Sequence, residues 1–384
     1  MNRSLKRPLA WARVYGHPWL DALVLGLALT GALISPAWAA PFADPLDQAA
    51  QMRTAINTRP FLAVSAAGQT LVAVGSRGMI ALSKDQGQRW QQSVVPVQSD
   101  LLAVHFPTAT QGWAVGHDGV ILHSADGGST WTKQLDGRQA AVAFKQYYND
   151  RLSTQPDDPA AQKALATLEQ NFKAGPALPL LDVWFADANT GYAVGSFGML
   201  VATQDGGKTW TPWLHRIDNP EQLNLNAVRG INGEILIAAE RGQVFRFDRG
   251  LADKTKTGQA HFTAVASGYT GSFFGFVGNP EVILAFGLRG VVYRSTDQAR
   301  SWAAVPVPGE ASIAAGAQRL DGPGFVLVNA AGQLILSNAA ATEYRLVAPT
   351  EPMRLTGVVP QGKQSVVTTG LAGIKTQRLP VPLP

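Results

Sequence analysis

The sequence predicts an all-β protein: a closed β-propeller of seven four-stranded antiparallel blades. Two observations carry that expectation. A short unit, apolar-x-x-Gly-x-x-Gly-x-apolar, returns seven times along the chain. The composition also fits, with 39 glycines and 24 prolines among 384 residues, 46% apolar and 15% charged. Such a chain is packed and rich in turns, and its Val, Leu, Thr and Trp fall in short runs that suit strands better than long helices.

The first segment stands apart. Arg3, Lys6, Arg7 and Arg13 precede an apolar run from Leu20 to Ile34, and Ala37-Trp38-Ala39 is a small-x-small cleavage pattern. This reads as a secretory signal peptide, residues 1–39, cut after Ala39. The apolar run is shorter than the ~20 residues a membrane-spanning helix needs. With Asp21, the leader carries +3 of the chain's formal +5. The remaining domain, 40–384, is then nearly neutral, which removes the main support for a nucleic-acid partner. The chain has no cysteine, which excludes disulfides and Cys metal sites.

The repeat is clearest as VAVGSRGMI from Val72, WAVGHDGVI from Trp113 and YAVGSFGML from Tyr192. Looser copies begin at Ile237, Leu284, Leu327 and Val367. Their second glycines are Gly78, Gly119, Gly198, Gly242, Gly290, Gly332 and Gly373, spaced 41 to 48 residues apart except for one interval of 79. A four-stranded propeller blade has this period. The last unit ends in LPVPLP, a poor strand because proline cannot donate to a ladder. The segment at about 44–58 is therefore expected to supply its fourth strand and latch the ring.

A second pattern follows four of the units: SKDQGQRW, SADGGSTW, TQDGGKTW and STDQARSW, from Ser83, Ser124, Thr203 and Ser295. Asp85, Asp126, Asp205 and Asp297 sit at the mouth of a turn, where a carboxylate accepts hydrogen bonds from nearby N–H groups. Trp90, Trp131, Trp210 and Trp302 then open the fourth strand. Equivalent positions in separate blades lie far apart round a ring, so these aspartates build turns and form no catalytic pair. The pattern resembles the Asp-box, or BNR, repeat of sialidases and of many non-enzymatic propellers.

The long interval holds an insertion, 137–178. Asp158 and Pro159 suit a helix start, Leu165, Leu168 and Phe172 share one helical face, and Gly175-Pro176 ends it. An earlier helix is expected from Ala140, with Val142, Tyr148 and Leu152 as its apolar residues. A helical hairpin between blades two and three results.

In a blade, the turn between strands two and three lies opposite the turn between strands three and four. The G-x-x-G turns, the blade-to-blade links and the insertion therefore share one face. Just before the second glycine stand Arg77, Asp118, Phe197, Arg241, Arg289, Ala331 and Ala372. Arg77, Arg241 and Arg289, with His117 and Asp118, are the candidate partner-binding residues, since guanidinium groups suit carboxylates. Solvated surface arginines are the plainer reading. No catalytic residue, metal site or cofactor motif is found.

These units, partial Asp boxes and leader together resemble the photosystem II stability/assembly factor family of seven-bladed propellers, over essentially all of 60–384. The resemblance implies a non-catalytic factor on the periplasmic or thylakoid-lumen side. It would assist a membrane-protein complex without nucleic acid or small-molecule cofactor, and the three arginines would belong to its binding surface. Related proteins of non-photosynthetic bacteria would serve other envelope complexes, such as transporters. Two alternatives differ in class. A carbohydrate- or peptide-binding module needs only a surface. A sialidase-like glycosidase needs arginines beside a Tyr–Glu pair, for which Glu240 next to Arg241 is the nearest candidate.

Overall fold

Seven antiparallel sheets follow one another along the chain, and within each the strands pair in sequence order. The computed structural model describes residues 43–249, 260–349, 351–381 and 383. The expected leader, 1–39, lies outside the described residues. Blade one is typical: Phe61–Ala67, Thr70–Gly75, Ile80–Ser83 and Gln91–Gln92. The fold is the predicted seven-bladed propeller.

The second strand of every blade is buried on both faces, as in Gly112–Gly116, Gly191–Gly195 and Ile283–Gly287. Each sheet is packed between two others, so its middle strands have no solvent face. They read as unbroken apolar runs rather than alternating ones, which is why the repeat shows as AVG-type blocks. Outer strands such as Thr132–Leu135 are half open and more polar in pattern.

The first strands of the blades surround the axis. Between them runs a channel of about 400 Å³ lined mainly by small side chains, with His105, Asp182 and Arg229 on one side. Neighbouring first strands splay too far apart for a backbone ladder, and side chains bridge them instead. Asp182 accepts from the Val228 N–H at 2.9 Å and from Arg229 Nη1 at 2.5 Å. The Phe185 N–H donates to His105 Nδ1 at 3.1 Å, and Asn226 Nδ2 to the Phe273 carbonyl at 2.8 Å.

The ring closes differently from expectation. Segment 44–58 supplies no strand, and the seventh sheet keeps three: Leu355–Gln361, Ser365–Gly370 and Gly373–Arg378. The segment forms two short 3-10 turns instead, Pro45–Asp47 and Ile56–Thr58. Asp44 caps the first by accepting from the Leu46 N–H at 2.9 Å, and Ala55 adopts a left-handed φ of 50° before the second. Neither conformation continues a strand. Closure comes from packing of Ile56, Phe61, Leu71 and Ala73 on Val367 and Ile374. Thr356 Oγ1 adds a hydrogen bond to the Phe61 carbonyl at 2.7 Å.

The insertion is the expected helical hairpin, α1 (Gly137–Thr154) and α2 (Pro159–Asn171). α1 begins three residues before Ala140, because Asp136 and Gln139 form a reciprocal capping box. Asp158 caps α2 through the Ala160 and Ala161 N–H groups, both at 3.0 Å. α1 buries Phe144 and Tyr148, while Val142 is 71% exposed and belongs to the solvent side. Phe144, Tyr148, Ala161 and Leu168 join the core shared by blades two and three. The hairpin is thus packed onto the propeller rather than tethered to it.

Candidate functional site

The two faces of the ring differ in what their polar groups are doing. On one face, the four aspartates are fully engaged. Asp126 accepts from Ser124 Oγ at 2.9 Å, the Thr130 N–H at 3.0 Å and Thr130 Oγ1 at 2.7 Å. Asp205 repeats this with Thr203 and Thr209, and Asp297 with Ser295 and Ser301. Asp85 uses Ser83 and Arg89, whose Nε replaces the hydroxyl donor at 2.7 Å. Each tryptophan immediately precedes its fourth strand and packs into the interface with the preceding blade. Trp131 shares a core with Val72 and Leu82 of blade one, Trp210 with Trp113 and Ile121 of blade two, Trp302 with Leu236 and Ala238 of blade four, and Trp90 joins the closure cluster. Within their own blades the first three meet Phe106, Phe185 and Phe276. In the fourth copy Ala299 takes a glycine's place at φ 62° and is fully buried.

These contacts favour the ionised form. The Arg89 side chain, then its N–H, hold Asp85 down to about 2. Partial burial opposes ionisation of Asp297, but its bonds from Ser301 and Ser295 outweigh it and also hold it to about 2. Asp126 and Asp205 are lowered in the same way against partial burial. A depressed carboxylate adds stability that is complete above about pH 4 and is lost as the pH falls toward 2. The urea midpoint is expected to drop between pH 5 and pH 2.5, and Asp297→Asn is expected to lower it at pH 5 while reducing that drop.

The G-x-x-G face is built otherwise. In the first five blades each turn holds its third residue in the left-handed region: Arg77 at φ 55°, Asp118 at 58°, Phe197 at 54°, Arg241 at 54° and Arg289 at 59°. A side chain at the start of the next blade secures several of these turns. The Arg77 N–H donates to Asp100 Oδ1 at 2.7 Å, that of Phe197 to Asn224 Oδ1 at 2.8 Å and that of Arg289 to Ser312 Oγ at 3.2 Å. Pinning the backbone this way throws the third side chain outward. Ala331 and Ala372 do not adopt the left-handed conformation; in blade six Asn329 organises the turn by accepting from the Ala331 and Gln333 N–H groups.

All five candidate residues therefore lie on one face, but they are not equivalent. Arg77 and Arg289 are exposed and form no ion pair among the described residues. Arg241 is ion-paired with Glu221 of the preceding link. Asp118 accepts from Ser99 Oγ at 2.7 Å and His117 is exposed beside it. Glu240 is committed to the Asn224 N–H and Nδ2, at 2.9 and 3.1 Å, and serves the turn. Blades four and five bring Arg241 and Arg289 to adjacent sectors, whereas Arg77 stands apart in blade one.

Arg77 has company that its motif does not reveal. Arg53 and Arg59 line one cleft with it, of about 280 Å³, together with Gln51, Ser76 and Gln98. Neither added arginine has an acidic partner among the described residues, and both are exposed. The signal was available in principle, because residues just before a first strand belong to the link face. Exposed apolar side chains share this face: Met52, Phe197, Leu288 and Leu371 are 66%, 51%, 37% and 50% exposed. Arginine interleaved with exposed apolar groups is the composition of protein interfaces.

The insertion stands on this face as well. Gly137 lies against Gly119, and Arg138 makes paired bonds to Asp47 at 2.7 and 2.8 Å. Tyr148 of α1 bonds to His215 Nδ1 at 2.9 Å in the link from blade three to blade four, and burial holds His215 down to about 4.

Fold and faces together define a seven-bladed propeller whose aspartate turns are structural and whose opposite face carries exposed arginines without an acidic partner among the described residues. The family model described as photosynthesis system II assembly factor YCF48 matches residues 81–150 and 169–345, and the chain belongs to this family. A photosystem II assembly protein Ycf48 of Synechococcus sp. (strain JA-2-3B'a(2-13)) is 30% identical over 186 residues, covering 41% of this chain and 49% of that one. Its counterpart from strain JA-3-3Ab is 27% identical over 170 residues, covering 41% and 48%. The match thus spans about half the length of these curated relatives. Two solved structures share the fold at 16% identity and a TM-score of 0.59: YCF48 bound to D1 peptide, covering 87% of this chain and 97% of that one, and YCF48 from Cyanidioschyzon merolae, covering 87% and 99%.

Proposed function

We propose that this protein is an exported, non-catalytic assembly or accessory factor that docks on a subunit of a membrane-protein complex through its G-x-x-G face. The observation that carries the reading is the contrast between the faces. One spends its carboxylates on its own turns; the other offers Arg53, Arg59, Arg77 and Arg289 without acidic partners among the described residues, beside exposed apolar side chains. Guanidinium forks recognise carboxylates of a protein segment with paired hydrogen bonds. The family and the D1 peptide held by one solved relative support a segment of a membrane-protein subunit as the partner. The leader read from the sequence supports an encounter on the periplasmic or lumenal side, after cleavage following Ala39. Arg241 has a lesser part in this reading, since Glu221 already neutralises it.

The test is capture from detergent-solubilised membranes. An Arg53→Ala, Arg77→Ala, Arg289→Ala variant changes exposed residues only and is expected to keep its melting temperature while losing at least ten-fold in captured complex. Equal capture by wild type and variant contradicts the proposal.

A further inference from the structure

A cleft of about 480 Å³ separates α2 from the link between blades three and four. α2 presents Ala160, Lys163, Ala164 and Thr167 to it, one stripe at helical spacing. Leu214 and Ile217 form an apolar part of the opposite side, and the ring of Phe197 stands at the cleft with half its surface open to solvent. The wall from Ala160 to Thr167 is about 10 Å long, the reach of about three residues of extended chain. The family model leaves 151–168 unmatched, and the four α2 residues of this wall fall in that stretch.

The polar groups in the cleft are already occupied, with one exception. Asp218, a half-exposed carboxylate on the link side, accepts from the His261 ring at 2.7 Å. Asn219 exchanges two hydrogen bonds with Leu223, both at 3.0 Å, and Gln222 Nε2 donates to Thr167 Oγ1 at 3.3 Å. Lys163 is exposed and has no ion pair among the described residues. What the cleft lacks is therefore an apolar group to cover Phe197 and a carboxylate to meet Lys163.

We propose that this cleft is a second peptide-docking site, which takes a large apolar side chain beside Phe197 and a nearby carboxylate at Lys163. It rests on the function proposed above only in taking a peptide segment as the occupant. A stripe as short as this one accommodates a few residues of extended chain, and Lys163, without an ion pair among the described residues, selects an acidic neighbour on the α2 side, while Asp218 on the link side is already held by His261.

The probe is a fluorescein-labelled Gly/Ser peptide carrying Phe two residues before Glu, titrated against the full chain by anisotropy. Versions with Phe replaced by Ser and Glu replaced by Gln are compared. Binding to wild type is expected, weakened at least ten-fold by either peptide change. Phe197→Ala and Ala160→Trp, both at exposed positions, are each expected to weaken it at least ten-fold. Lys163→Glu should remove the preference for Glu over Gln. The Arg53→Ala, Arg77→Ala pair should leave the affinity unchanged, which separates this site from the arginine cleft. The inference is overturned if wild type does not bind the peptide, if Phe197→Ala and Ala160→Trp bind as wild type does, or if the arginine pair alone abolishes binding.

Discussion

Replacing Trp113 with alanine is expected to cost about 3–5 kcal/mol of stability, the range for removing a large buried aromatic. Trp113 belongs to the second strand of blade two and is fully buried. Its ring lies on Phe185 of blade three with centroids 3.6 Å apart, so it joins two blades rather than filling one. Its Nε1 donates to Gln134 Oε1 at 3.1 Å, and Gln134 Nε2 donates to the Gly206 carbonyl at 2.8 Å in the aspartate turn of blade three. Alanine would leave a cavity in the core that also holds Phe144 and Tyr148 of α1. The urea midpoint should fall accordingly, while Val142→Ala, on the exposed side of α1, should change it by less than about 0.5 kcal/mol. A small effect at Trp113 would mean that blades two and three are not held together by this stack.

Gly78→Ala is expected to cost on the order of 2–4 kcal/mol, combining backbone strain with a displaced link. Gly78 has φ +70°, and an added Cβ would stand 1.9 Å from the Val97 carbonyl oxygen of the link to blade two. The link must pass this close because the Gly78 N–H donates to the Ser99 carbonyl at 2.8 Å. Gly233 supplies the control: its φ is +80° with no atom within 4 Å of an added Cβ. Gly233→Ala should cost about 1 kcal/mol, the penalty for φ alone. Equal losses at the two sites would show that the glycine of the repeat serves conformation and not close approach.

That contrast explains why the fold was legible. The G-x-x-G signature marks where chain crosses chain. At its first glycine, a Cβ on Gly116 would meet the Asp100 carbonyl at 1.9 Å, and at its second the link passes overhead. The first glycine is Ala239 in blade four and Asn329 in blade six, but the close approach at the second recurs in every blade and leaves a period in the sequence. The aspartate turns were readable because each is complete within eight residues, from Ser124 to Trp131 for example.

Features made by segments distant in sequence were not readable. Residues 44–58 look like a spare strand by elimination, yet Asp44, Pro45 and Ala55 set turns that only the local conformation reveals. Arg241 resembles Arg77 in its motif, but Glu221, twenty residues earlier, neutralises it. Arg53 and Arg59 belong to no repeat and join Arg77 only because the N-terminal segment lies beside the turn of blade one.

Partners are expected to meet the G-x-x-G face. A photo-crosslinking residue placed at Ala372 on that face, and separately at Lys208 on the aspartate face, tests it with solubilised membranes. Both positions are exposed. Adducts with a membrane-protein subunit should form from position 372 and not from position 208. Adducts formed from position 208 alone would place docking on the aspartate face and contradict the account.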